Sequence, residues 1–189
     1  PAFYEGEVEG ELIIKGKSFR DYDIFSLSKI AGTVLQDSDG QFIGLTVGED
    51  IAFAMENEMR PLEEMKKRVV EAAEKVGIEG FLDHAPHELS GGQKQRVSLA
   101  GVMVDDVEIF LFDEPLANLD PASGKKTIEL IDQIHKDTGA TVIIIEHRLE
   151  DVLYRPVDRV VLMGEGEILM DTTPDDLLSS DALIRNGIR

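Results

Sequence analysis

Asp113 and Glu114 end the stretch "VEIFLFDEP" (107–115), a continuous apolar run of strand length that closes in acid, as buried parallel strands do. Adjacent strand residues point to opposite faces, so the two carboxylates can have different tasks. One can hold Mg²⁺, usually through water, and the other can orient or deprotonate an attacking water. The plainer alternative is an acidic turn ahead of Pro115. Two more apolar runs end in polar residues: "TVIIIEH" (141–147) in His147 and "IAGTVLQ" (30–36) in Gln36. Taken singly, these are a structural histidine and the polar start of a loop. Open α/β sheets, however, bind ligands beyond the carboxyl ends of their strands. Three such ends converging on one edge point to a site.

A fourth stretch, "HELSGGQKQRVSLAG" (87–101), carries a different chemistry. Ser90 and Gln93 have the spacing of a capping box, so a helix is predicted to start there. Gly91 and Gly92 are poor helix interior, each costing ~1 kcal/mol relative to Ala. They offer bare backbone N–H groups at the positive end of a helix, a place suited to phosphate.

The elements that must position these residues are legible in outline. The first 36 residues are predicted to be β-rich, because "EGEVEGELIIKGK" (5–17) alternates between apolar and polar. A helix is predicted to start at Pro61, with Leu62, Met65, Val69, Ala72, Ala73 and Val76 on one stripe and Gly77 as its stop. Pro121 opens another, with Ile128, Ile131 and Ile134 on one face and an end near Gly139. "TVIIIEH" is predicted to be a second buried strand, and a short helix follows around "LEDVLY" (149–154). "RVVLM" and "EILMD" flank "GEG" as a hairpin, and Thr173 and Pro174 open a last helix. Strands alternating with helices give an α/β sheet. Residues 1–46 and 105–189 are read as its core, and 47–104 as a helical insertion.

Composition narrows the function classes. The chain has 189 residues, and 19 basic against 38 acidic side chains leave a net charge of −19. Non-specific attachment to nucleic acid or anionic lipid needs basic patches, so no nucleic-acid partner is expected. There is no cysteine, which removes disulfides and thiolate metal sites. No apolar run approaches the ~18 residues of a membrane span.

The set "LSGGQ" (89–93), "IFLFDEP" (109–115), "LANLD" (116–120) and "IIIEHR" (143–148) resembles an ATP-binding-cassette (ABC) ATPase in order and spacing. The resemblance implies a P-loop NTPase (RecA-like) α/β core with a helical subdomain, and ATP and Mg²⁺ as ligands. Ser90, Gly91, Gly92 and Gln93 would contact the γ-phosphate of ATP held by an opposing subunit. Asp113 would be the Walker B metal residue and Glu114 the catalytic base. His147 would be the switch histidine, Gln36 the Q-loop glutamine near Mg²⁺ and water, and Asp120 the acid of the D-loop at a dimer interface. "TVLQDSDGQFIGLTVGEDIAFAMEN" and "EHRLEDVLYRPVDRVVLMGEGEIL" are similar to the ATPase subunits of energy-coupling-factor importers, which drive uptake of vitamins and trace metals. The implied partners are a second ABC ATPase domain, identical, different or in tandem, and an integral membrane transporter subunit. The implied location is the cytoplasmic face of the cell membrane. The alternative is a non-transport cassette, ribosome-associated or regulatory.

One part of the family pattern is missing. No G-x-x-x-x-G-K-[ST] occurs in the 189 residues. Gly124-Lys125 in "PASGKKT" is a decoy, because Leu119 stands where the first glycine should be. The resemblance puts the P-loop upstream of "EGEVEGELIIKG", so the chain is expected to lack that segment, to be inactive alone, and to be marginally stable. The P-loop strand would lie between "TVIIIEH" and "RVVLM". Without it, either 142–145 pairs directly with 160–163 or a gap one strand wide stays open.

Overall fold

The computed structural model describes residues 9–36, 39–117 and 119–186. The β reading of residues 1–8 and the Asn118 position of "LANLD" lie outside them. The β-rich start is only partly realised. β1 (Ile13–Ile14) and β2 (Lys17–Ser18) pair antiparallel over two residues each, around Lys15 and Gly16, both at positive φ. Gly10 also has positive φ. Leu12 and Ile13 stay exposed. Among the described residues the alternation yields only these two short strands. α1 (Ile24–Ser28) follows, capped by the Asp23 carboxylate, which accepts from the Ser26 amide.

β3 (Ala31–Val34) leads to a helical layer of α2 (Val47–Asn57), α3 (Leu62–Val76) and α4 (Gly91–Met103), which pack on one another. Each boundary has a local cause. Thr46 and Glu49 form a capping box on α2, and Ser90 and Gln93 form one on α4. α3 stops at Gly77, which takes the left-handed conformation that a side chain would resist. β4 (Ile109–Asp113), α5 (Pro121–Thr138), β5 (Thr141–Ile145) and α6 (Leu149–Val152) complete the α/β part. β6 (Val160–Gly164) and β7 (Glu167–Thr172) form the predicted hairpin, turning through Glu165 and Gly166 at positive φ. α7 (Pro174–Ser179), capped by Thr173, and α8 (Ala182–Arg185) follow.

The sheet order is β3-β4-β5, all parallel, with Val34 opposite Phe112 and Asp113 opposite Ile145. One hydrophobic cluster runs through sheet and helices alike, from Val34 and Ile51 through Val97, Phe110 and Phe112 to Ile131. Gly32 lets α4 come against the sheet, since a Cβ there would lie 1.9 Å from Val102 Cγ1. Lys29, just before β3, forms ion pairs with Glu58 at the end of α2 and Asp105 after α4. These tie the helical layer to the base of the sheet.

Two expectations need correction. β3 ends at Val34, so Gln36 lies two residues past the strand. β5 is not a fully buried strand: Ile143 is 49% and Ile145 62% exposed. Among the described residues β5 pairs with β4 alone, and β6 pairs with β7 alone. Of the two arrangements anticipated, direct pairing of 142–145 with 160–163 is not seen among the described residues, and Ile143 and Ile145 are exposed on one face of β5.

Candidate active site

The carboxyl ends of β3, β4 and β5 lie side by side, as the parallel register requires. At this edge Gln36, Glu114 and His147 meet around one oxygen. Gln36 Nε2 donates to Glu114 Oε2 at 2.8 Å, and His147 Nδ1 lies 3.9 Å from the same atom. The second distance is too long for a hydrogen bond but within ion-pair reach when the imidazole is charged. Both His147 and Gln36 are solvent-exposed, and Glu114 is partly exposed. The cluster is therefore open to an incoming substrate.

Glu114 takes a backbone conformation unusual for its type, with φ at +45°. Left-handed non-glycine residues persist only where their surroundings hold them, and they concentrate at functional sites. The turn here is gripped from several sides. The Glu114 amide donates to the Ile145 carbonyl at 2.9 Å, and the Ala117 amide donates to the Glu114 carbonyl at 3.1 Å. Gln95 Nε2, from α4, donates to the Pro115 carbonyl. The Leu116 amide donates to Glu146 Oε1 at 2.9 Å, and Arg148 Nη1 donates to the Leu116 carbonyl at 3.0 Å.

The remaining sequence candidates occupy a second locus. Ser90 caps α4, where its amide donates to Gln93 Oε1 at 2.8 Å and its hydroxyl accepts from the Gln93 amide. Gly91 and Gly92 are the first two helical residues, whose N–H groups have no acceptor within the helix. A Cβ on Gly91 would meet nothing within 4 Å, so another molecule can approach the backbone there. Among the described residues Ser90 and Gln93 bond to each other, and Gln36 bonds to Glu114 with His147 in ion-pair reach, with no hydrogen bond or ion pair joining the two groups. Asp120 does local work, capping α5 by accepting from the Ala122 and Ser123 amides at 3.0 and 3.1 Å. The Ser123 hydroxyl, with the Ser123 amide second, holds its carboxyl below the ordinary carboxylate range.

A sequence model of the ABC transporter family matches residues 3–117, more than half of the chain. The chain belongs to the ABC transporter family. It is 60% identical over its whole length to a Streptococcus pneumoniae protein and 59% identical to one from Photobacterium profundum, both provisionally named ABC transporter ATP-binding proteins. The chain spans about a third of the length of each of these curated relatives (34%). Among solved structures, cbiO1 from Clostridium perfringens, described as part of the ABC transporter complex cbiONQ, superposes with a TM-score of 0.83. That match is 34% identical and covers 94% of this chain and 71% of the other. The α/β fold read from the sequence is thus the fold of an ABC ATPase.

Membership in this family implies nucleotide binding, with Mg²⁺ generally in attendance. Among the described residues there is no group of three or more side chains able to cage a metal. Asp113 stands at the end of β4, partly exposed and opposite Ile145. One carboxylate beside room for phosphate oxygens and water suits Mg²⁺, which seldom uses an all-protein cage. Gln36 is bonded to Glu114 through its amide nitrogen, so its carbonyl oxygen is not used in that contact. Sequence reasoning passed over Glu146, Arg148 and Gln95. The available signal was a charge ending the apolar run "TVIII", read only as the approach to His147.

Proposed function

We propose that the chain works as the hydrolytic part of an ABC importer ATPase of the energy-coupling-factor type. The observation that carries this is the convergence of Gln36, Glu114 and His147 on one carboxylate oxygen at the carboxyl edge of a parallel sheet. In this reading Glu114 accepts a proton from the attacking water as it approaches the γ-phosphorus of ATP. Gln36 orients the Glu114 carboxylate, and His147 faces the γ-phosphate, where its N–H stabilises charge developing on the transferred group. Asp113 would hold Mg²⁺, which supplies charge neutralisation at the phosphate oxygens.

Ser90, Gly91, Gly92 and Gln93 would act on nucleotide held by a second ATPase domain, and Asp120 would lie near that interface. A glycine-rich loop with its lysine, which supplies most of the grip on the β- and γ-phosphates, must come from polypeptide other than these 189 residues. On its own the chain is therefore inactive. The importer assignment is supported by the likeness to cbiO1, itself described as part of a transporter complex. It implies a membrane subunit as partner, attachment to the cytoplasmic face through it, and a micronutrient such as a vitamin or metal ion as cargo.

ATP hydrolysis by the longer polypeptide, of the length of its relatives, tests the assignment. Wild type is expected to hydrolyse ATP. Glu114→Gln should lower kcat by ~10²–10⁴-fold while leaving nucleotide binding in place. Full activity in Glu114→Gln would overturn the role of Glu114. Failure to copurify with a membrane subunit would overturn the import role.

A further inference from the structure

The Glu146 side chain is only 4% exposed, whereas that of the neighbouring His147 is 68% exposed. A carboxylate this buried is costly unless its oxygens are satisfied. Here both are. Glu146 Oε1 accepts from the Leu116 amide at 2.9 Å, and Oε2 accepts from the His147 and Arg148 amides at 3.0 and 3.2 Å. One side chain thus joins the backbone just after Glu114 to the backbone of the histidine itself, across 30 residues of sequence. Arg148 returns the contact, its Nη1 donating to the Leu116 carbonyl at 3.0 Å while its Nη2 pairs with Asp151. Leu116 is fully buried, and both its N–H and its C=O are held by the 146–148 segment.

We propose that Glu146 is a positioning residue that locks the Glu114 turn and the His147 segment into one rigid unit. The inference rests on the reading of Glu114 as the base and His147 as the phosphate-facing group. Glu114 sits at φ +45° and needs outside restraint to stay there. A carboxylate suits the clamp because three N–H groups converge on it and it accepts at both oxygens. Any displacement of His147 is then passed to Leu116 directly, and from Leu116 to the turn that aims Glu114. The two groups are kept in register rather than adjusting separately.

The test uses Glu146→Gln in the longer polypeptide, with Arg148→Lys as a second variant in case the first folds poorly. Glutamine can still accept from Leu116, but its NH₂ faces the His147 and Arg148 amides, so half of the clamp is lost. A misplacement of this kind is expected to lower kcat by ~10–100-fold with the KM for ATP within ~2-fold of wild type. Arg148→Lys keeps a charge near Asp151 but loses the planar reach to Leu116, and should show the same split to a smaller degree. Hydrogen exchange at the Leu116 and His147 amides should accelerate together, with α5 amides unchanged. Unchanged kcat, or a rise in KM matching the loss of kcat, would overturn the proposal. If wild type hydrolyses no ATP, the functional reading fails. The clamp is then decided by exchange: joint acceleration at Leu116 and His147 upholds it, and unchanged exchange refutes it.

Discussion

Glu114 reaches its position through a left-handed backbone that costs a glutamate about 1–2 kcal/mol. Glycine takes that conformation without strain, so Glu114→Gly is expected to raise the unfolding free energy by about 1 kcal/mol while removing hydrolysis. Chemical denaturation of wild type and variant checks this, and a loss of stability beyond 1 kcal/mol would show that the side chain itself holds the turn. At this scale the sequence was most informative where chemistry and position coincide. Asp113, Glu114, His147 and Gln36 each close an apolar run, and the parallel register brings those closures together. Glu146 was not legible in the same way, since its partner Leu116 lies 30 residues away and no local pattern announces the contact. Gln95, which reaches the Pro115 carbonyl across 20 residues, is a similar case. Asp120 shows the reverse: an acid ahead of Pro121 is an ordinary cap signal, and the structure gives it that work.

Helix boundaries were readable because their causes are local. Ser90, Thr173, Gly77 and Gly139 act on the few residues beside them, and each bounds a helix as expected. Strand burial was not, because it depends on what lies alongside. The run "TVIII" promised a buried strand, yet among the described residues β5 has β4 on one side and no strand on the other. The Thr141 amide donates to the Glu108 carbonyl on the β4 side. By the two-residue alternation of a strand, the Val142 and Ile144 amides face away from β4. In the 189-residue chain these two amides are expected to exchange much faster than that of Ile143, and faster than Val97 and Ala100 in α4. Equal protection at Val142, Ile143 and Ile144 would mean that the edge is covered in solution. An open apolar edge of this kind also invites self-association.

At the scale of the molecule, one hydrophobic cluster binds a parallel sheet to a helical layer, and Gln95 of α4 reaches the turn beside Glu114 through the Pro115 carbonyl. In the proposed reading the cluster around Glu114 attacks a phosphate and the N-terminus of α4 approaches one. Neither supplies the loop of consecutive amides and lysine that grips the β- and γ-phosphates. The chain belongs to the ABC transporter family, and no helix among the described residues is long and apolar enough to cross a membrane. The central claim of the proposal is a division of labour, in which these residues carry the reacting end of the site and other polypeptide carries the phosphate grip. Equilibrium binding of Mg·ATP to residues 1–189, beside a longer polypeptide that carries the glycine-rich loop, tests it most directly. The short chain is expected to bind at least ~100-fold more weakly, a difference of about 2.7 kcal/mol. Comparable binding by the two would contradict the division, because something within residues 1–189 would then be doing the work of the missing loop.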